Sequence, residues 1–324
     1  MNTYGRTFRV HIFGESHGPM VGVTIDGCPA GISMKHADLL PDLERRKAGA
    51  TGTTQRKETD EPEIVSGIFN EVTTGAPITI LFRNADTRSA DYESIRNTPR
   101  PGHADFVLHK KYDGYNDYRG GGYSSGRLTV ALVAAGVIAK KVLNEITIQA
   151  TLTEAGGNTN IDAAIEAAVT DQDSIGGIVS CVVRNIPVGW GEPFFDSAES
   201  VISHAVFAVP AIKGIEFGSG FGAAKMKGSV HNDAIMNESG TTQTNNAGGI
   251  NGGITNGNEL YFRVAVKPTS STPRQQQTWN NVTASVEAFA IMGRHDLCIA
   301  LRVPVVIEAA TAIALADLKL MAGK

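Results

Sequence analysis

Residues 125–143 read SGRLTVALVAAGVIAKKVL. A helix at the protein surface keeps one polar face, but this stretch is apolar nearly all round, so it predicts a helix buried inside the molecule. Working outward, strand-like runs bounded by turn residues recur at 8–13, 21–25, 78–82, 146–152, 175–183, 260–266 and 299–306. Further helices are expected over 161–169, 201–207, 284–292 and 309–321. Strands and helices do not alternate regularly, and pairs such as 8–13 and 21–25 follow each other across a short turn. The pattern therefore predicts an α+β fold of antiparallel sheets packed on helices, rather than a doubly wound parallel sheet. No repeat and no Ser/Gly- or Pro-rich linker divides the chain, which argues for one domain over residues 1–324. Pro41 interrupts an otherwise helical segment. An interior proline costs roughly 3 kcal/mol, so that helix is expected to begin there.

Composition narrows the function. A net charge of −4 supplies no global positive field for nucleic acid or an anionic membrane. No apolar run reaches the ~20 residues of a membrane span, and the first residues show no secretory signal, which predicts a cytoplasmic protein. Cys28, Cys181 and Cys298 are widely spaced and odd in number, as buried reduced thiols would be, and not a disulfide or zinc framework.

Five segments carry residues suited to chemistry. Gly14-Glu15-Ser16-His17-Gly18 matches the G-x-S-x-G pattern of a hydrolase elbow, but the following PMVGVTIDG reads as a strand where that motif needs a helix. The bland reading is a hairpin turn with Glu15 and His17 exposed. Gly120-Gly121-Gly122-Tyr123-Ser124-Ser125-Gly126-Arg127 opens the buried helix and gathers free backbone N–H groups at a positive dipole end, a setting for phosphate or carboxylate. It is no P-loop, because Arg127-Leu128 stands where Lys-Ser/Thr is required. Taken as structure alone, Ser125 is an N-cap.

Arg100-Pro101-Gly102-His103-Ala104-Asp105 sets a histidine on a Pro-Gly turn beside an arginine, where it can pass a proton. Residues 245–253, NNAGGINGG, admit a flat ligand against the backbone. The Lys267-Pro268-Thr269-Ser270-Ser271 run beyond them offers donors for phosphate or ribityl oxygens, though a hairpin with a polar end explains the segment equally. Gly293-Arg294-His295-Asp296 reads as the end of a helix ahead of a strand. No third ligand stands at useful spacing from His103-x-Asp105 or His295-Asp296, so no metal site is expected.

Together, in order along nearly the whole chain, FGESHG, DGCPAG, LERRKAG, TTGAPI, DYESI, RPGHAD, DYRGGG, NNAGGINGGI, KPTSS and GRHDLC resemble the chorismate synthases. The resemblance implies helices sandwiched between antiparallel sheets, and a homotetramer. It also implies reduced FMN, used without net redox change in eliminating phosphate and the C6 proton from 5-enolpyruvylshikimate 3-phosphate. Some members reduce their own flavin with NADPH and others take an outside reductant. By resemblance, His17 donates a proton near the departing phosphate, His103 sits by the flavin, Asp296 assists proton removal, and Ser16 and Ser125 are supporting hydrogen-bonders. Arg46, Arg56, Arg100, Arg127 and Arg294 resemble the cluster that neutralises substrate. Ser124, Ser125, Ala211, Gly252, Lys267, Pro268, Thr269, Ser270, Ser271 and Arg294 resemble the flavin contacts.

Three positions depart from the family pattern. Tyr123 and Gly52 stand where arginines are usual, and Gly126 replaces an alanine. Arg56, Lys57 and Arg119 are the candidates to restore the lost charge. Without such restoration the chain would be a flavin-binding homologue with weakened catalysis.

Overall fold

The structure is a computed structural model that describes residues 2–49, 51–54, 58–85, 92–291 and 296–323. Two antiparallel sheets enclose a helical layer. The first runs Thr3–Tyr4, Arg9–Gly14, Met20–Asp26, Ile78–Arg83, Glu63–Ser66 in spatial order. The second runs Ile212–Phe217, Leu260–Val266, Gly177–Arg184, Thr147–Ala155. Ile78–Arg83 alternates buried residues with half-buried or exposed ones, so one face meets the helices, as a period of two requires. Register follows the same logic: Val10 faces Ile25 across one pair, and Val23 faces Ile80 across the next.

Two apolar helices fill the middle, Thr129–Leu143 against the first sheet and Val303–Met321 against the second. They touch where a Cβ on Gly136 would lie 2.3 Å from Cβ of Ala309, a separation only glycine permits. Lys319 also donates to the carbonyl of Val142 near both C-terminal ends, at 2.8 Å. The pair therefore runs in one direction. The segment from Ile299 to Met321 is long and apolar enough to span a membrane, but most of it is buried in the protein. One continuous cluster joins Val23 and Ile80, Ala134 and Ile138, Ile313, and Val179 and Phe262. His36–Arg46 and Ala198–Phe207 complete the helical layer.

Two buried acids pin this layer to its surroundings. Asp317 accepts the backbone N–H groups of Arg6, Thr7 and Phe8, fixing the entry to the first sheet. Glu308 takes a two-pronged grip from Arg45 at 2.7 Å on each side, with Lys140 at 2.9 Å. Burial opposes charge on Glu308, yet these cations hold its carboxyl below its ordinary range. All three cysteines are buried and unbridged, and burial pushes the Cys181 thiol up to about 12.

The sandwich agrees with the sequence reading, but four local expectations fail. Residues 299–306 are not a strand: a 3-10 turn at Ile299–Arg302 leads into the Val303–Met321 helix. Residues 285–289 of the expected 284–292 helix pair as a strand with Gln276–Asn280, while Met292 lies outside the described residues. Asp296 thus follows a hairpin and precedes a turn. Pro41 lies inside the His36–Arg46 helix and does not begin it. Finally, Ser125 is an N-cap as read, but of a single 3-10 turn, Gly126–Leu128, and the α-helix proper starts only at Thr129 and not at 125.

Candidate active site

Both central helices begin at one cavity of about 400 Å³. Ser125, Gly126 and Thr129 line it from the first helix, and Ile299, Arg302 and Val303 from the second. Two helix N-termini thus point their positive ends at the same space, where anions are favoured. Six of the expected site residues lie in the wall: Arg46, Arg100, Ser125, Arg127, Thr269 and Asp296.

The arginines are held in a fixed order by two buried acids, Asp60, which the sequence reading did not single out, and Asp105, which it weighed only as a metal ligand. Asp60, only 2% exposed, accepts from Arg46 Nη2 at 2.6 Å and from Arg127 Nη1. Burial works against its charge, but the two guanidiniums prevail and hold the carboxyl below its ordinary range. Burial also lowers the Arg127 guanidinium from its usual value. Asp105 takes Arg100 in a bidentate grip, Nε at 2.7 Å and Nη2 at 2.8 Å. The same carboxylate stands 2.6 Å from Nδ1 of His103. Burial again opposes charge, and the hydrogen bonds from Arg100 and His103 hold the Asp105 carboxyl well below the carboxylate range.

The histidines pack under the triple glycine. Gly120, Gly121 and Gly122 all have positive φ, which a side chain rarely tolerates. A Cβ at Gly120 would lie 2.3 Å from the His17 ring and 2.9 Å from Ser16 Oγ. One at Gly121 would lie 3.2 Å from the His103 ring. Ser16 donates its backbone N–H to the Gly122 carbonyl, and His17 sets its ring edge-on to Tyr92 at 5.1 Å. Gly120 and Tyr92 both line the cavity, so His17 sits one layer behind its wall. The segment 14–18 is thus a turn into the Met20–Asp26 strand and no hydrolase elbow. It departs from the bland hairpin reading too, because Ser16 and His17 are buried. Asn84 clamps this turn through the carbonyls of Glu15 and Gly18 and accepts from Arg127 Nε at 2.8 Å.

A second group gathers beside His103. Lys267 Nζ donates to Ser270 Oγ at 2.6 Å and to the Gly102 carbonyl at 3.2 Å, binding the two loops together. Ser271 Oγ accepts from Arg100 at 3.4 Å. Thr269 lines the cavity, and its buried Oγ1 has no hydrogen-bond partner among the described residues. Ala211, with φ +74°, accepts the Lys267 backbone N–H at 2.9 Å, next to Val209 and Pro210 in the wall. Burial lowers the Lys267 ammonium from its usual value. Ser124 donates to the Gly121 carbonyl, and Pro268 packs on Gly176. Gly252 is not brought to the cavity. It stands exposed at the tip of the Ile250–Asn251, Ile254–Thr255 hairpin, where an added Cβ would meet nothing. Arg56 and Arg294 lie outside the described residues, as do Lys57 and His295.

Asp296 also lines the cavity. Its Oδ1 accepts the Thr54 N–H at 2.9 Å, and Arg302 Nη1 approaches both oxygens at 3.4 and 3.3 Å. Gly52 holds this arrangement, its carbonyl accepting the N–H groups of Leu297 and Cys298. With φ +87° and Ile165 only 3.0 Å from an added Cβ, position 52 does not accept an arginine without strain. Gly126 is different, since a methyl there would meet no atom within 4 Å. Tyr123 is exposed. Arg119 cannot restore charge to the cavity as it stands, because Asp117 holds its guanidinium at 2.8 Å on two sides. Among the described residues no three His, Cys, Asp or Glu side chains converge as metal ligands would.

The sequence reading missed Asp60, Asn84, Tyr92 and Arg302, and it gave Asp105 no role. Asp60 hides in the charged run 56–63, and Arg302 in an apolar one. Only Asp105, two residues beyond a histidine and five beyond an arginine, had a local signal.

Comparison with known proteins places the whole chain among its relatives. The family model described as chorismate synthase matches residues 8–320. A chorismate synthase from Chitinophaga pinensis is 66% identical over 322 residues, covering 99% of this chain and 97% of that protein. One from Dehalococcoides mccartyi is 46% identical, with 99% and 97% covered. A crystal structure of a chorismate synthase superposes with a TM-score of 0.76 at 26% identity, covering 98% of this chain and 93% of the other.

Proposed function

The chain belongs to the chorismate synthase family, and from that premise we propose how its cavity performs the reaction. The activity is that of a lyase of the shikimate pathway, eliminating phosphate and the C6 proton from 5-enolpyruvylshikimate 3-phosphate to give chorismate. The observation that carries the reading is the convergence of Arg46, Arg100 and Arg127 with Asp296 at two helix N-termini. A substrate with two carboxylates and a phosphate needs that concentration of guanidinium forks.

The residues beside His103 fit FMN. Thr269 Oγ1 is a buried donor awaiting an acceptor, and Lys267 with Ser270 offers an ammonium and a hydroxyl at the same place. Lys267, Pro268, Thr269, Ser270, Ser271, Ser124 and Ala211 would hold the cofactor. Reduced FMN held there would supply electron density for the departure of phosphate, with no net redox change. By resemblance to the family, His17 would give a proton to the leaving phosphate from behind Gly120 and Tyr92, with Ser16 beside it and Ser125 in the wall supporting the oxygens. Asp105 holds the Nδ1 proton of His103 and so turns Nε2 toward the cofactor side of Gly121. Asp296, steadied by Thr54 N–H, assists removal of the C6 proton. Arg56 and Arg294 join the substrate cluster and Gly252 the flavin contacts by resemblance to the family alone.

We further propose one domain over residues 1–324 in a cytoplasmic homotetramer that uses NADPH or an outside reductant, with no nucleic-acid or membrane partner. Phe194 and Phe195, 88% and 93% exposed beside the Gly252 hairpin, support self-association.

The test is an anaerobic assay with 5-enolpyruvylshikimate 3-phosphate and chemically reduced FMN, following chorismate and phosphate together. Equal release of both, abolished without reduced flavin and sharply lowered in His17→Ala and His103→Ala, is expected. Flavin binding without product would move the chain to the weakened-homologue reading.

A further inference from the structure

Among the cavity's described cations, Arg302 has the loosest acidic partner. Arg46 and Arg127 close on Asp60, Arg100 is gripped by Asp105 at 2.7 and 2.8 Å, and Lys47 reaches Glu44 at 2.7 Å. Arg302 anchors itself through Nε, which donates to the carbonyl of Arg46 at 2.9 Å. Its Nη1 meets Asp296 only at 3.3–3.4 Å, well beyond the roughly 2.7–2.9 Å of a charge-assisted bond. Its Nη2 has no hydrogen-bond partner among the described residues, and the side chain, 20% exposed, lines the cavity. It also stands at the N-terminal end of the Val303–Met321 helix, whose dipole adds to its field.

We propose that Arg302 is a substrate-binding residue that takes one carboxylate of 5-enolpyruvylshikimate 3-phosphate through Nη1 and Nη2. The proposal rests on the reading above, which sends the phosphate toward His17 and leaves the Asp296 side for a carboxylate. A planar guanidinium tethered at Nε presents two parallel N–H groups, the geometry that matches a carboxylate. The long contact to Asp296 is easily exchanged for it.

Calorimetric titration of the oxidised-FMN enzyme with 5-enolpyruvylshikimate 3-phosphate separates binding from turnover. Arg302→Gln is expected to weaken substrate binding at least 10-fold and leave FMN affinity unchanged. Arg302→Lys, which keeps the charge but loses the fork, should fall between the two. If Arg302→Gln does not fold, the Lys variant decides alone, and wild-type affinity in it overturns the proposal. Unchanged affinity in Arg302→Gln with a lowered turnover also overturns it, because Arg302 would then only steady Asp296. A wild-type protein that binds no 5-enolpyruvylshikimate 3-phosphate would overturn the underlying reading, a result distinct from either.

Discussion

The Asp105 carboxylate lies 2.6 Å from Nδ1 of His103, while the Arg100 guanidinium approaches the same nitrogen at 3.1 Å. Arginine has only donors, and a carboxylate at that distance needs a proton to accept. The shorter contact favours a hydrogen on Nδ1, and the Arg100 hydrogen bond belongs to the other tautomer. Asp105→Asn offers an amide donor at this point and permits the other tautomer. Ring ¹⁵N shifts of His103 are expected to change to the Nε2–H pattern, with turnover lowered roughly 10²-fold. Unaltered ring shifts would refute the role of Asp105.

Asp60 separates two guanidiniums in a buried wall. Asp60→Asn leaves them facing each other, and a loss of roughly 3–5 kcal/mol in urea unfolding is expected, as for other broken buried pairs. The pH dependence has a definite sign. A carboxyl held below its unfolded value, ~3.9, contributes its full stability above that pH and loses it as pH falls through the folded value. Wild-type thermal midpoints should thus drop on acidification below about pH 4. Asp60→Asn should show a shallower drop, and an equally steep one would exclude Asp60 as a source.

Gly120→Ala puts a methyl into the His17 ring at a backbone angle that alanine resists. Turnover should collapse while Gly126→Ala, which meets nothing, stays near wild type. Comparable rates in the two variants would show that the ring moves aside freely.

Asp317→Asn keeps the size of the side chain but loses the charge that three backbone N–H groups converge upon. Hydrogen bonds to a charged group contribute roughly 1.5–3 kcal/mol each, so the thermal midpoint should fall by several degrees. The first residues should also exchange their amide hydrogens faster. Protection unchanged at Thr7 and Phe8 would contradict this.

The fold class was legible because residues 125–143 have no polar face and the strand pairs are joined by short turns. The second central helix was half lost for the same reason. A helix apolar all round offers no period, and the β-branched Val303, Val305 and Val306 imitate a strand. Residues 285–289 show the opposite error, where pairing with Gln276–Asn280 across a turn at Ala284 overrides the helix preference of Ala and Glu. At the site, motif residues announced themselves, while their acidic holders did not. Asp60 lies in a charged run that reads as solvated surface, and only the tertiary fold swings it between two arginines.

The contact of Gly136 with Ala309 works on the cavity like the pivot of a pair of callipers. The two helices that touch there carry Arg127 and Arg302 at the tips of their arms, about two turns away. A bulkier residue at the pivot would spread the tips, so the separation of Arg127 and Arg302 across the cavity is set at a contact outside its wall.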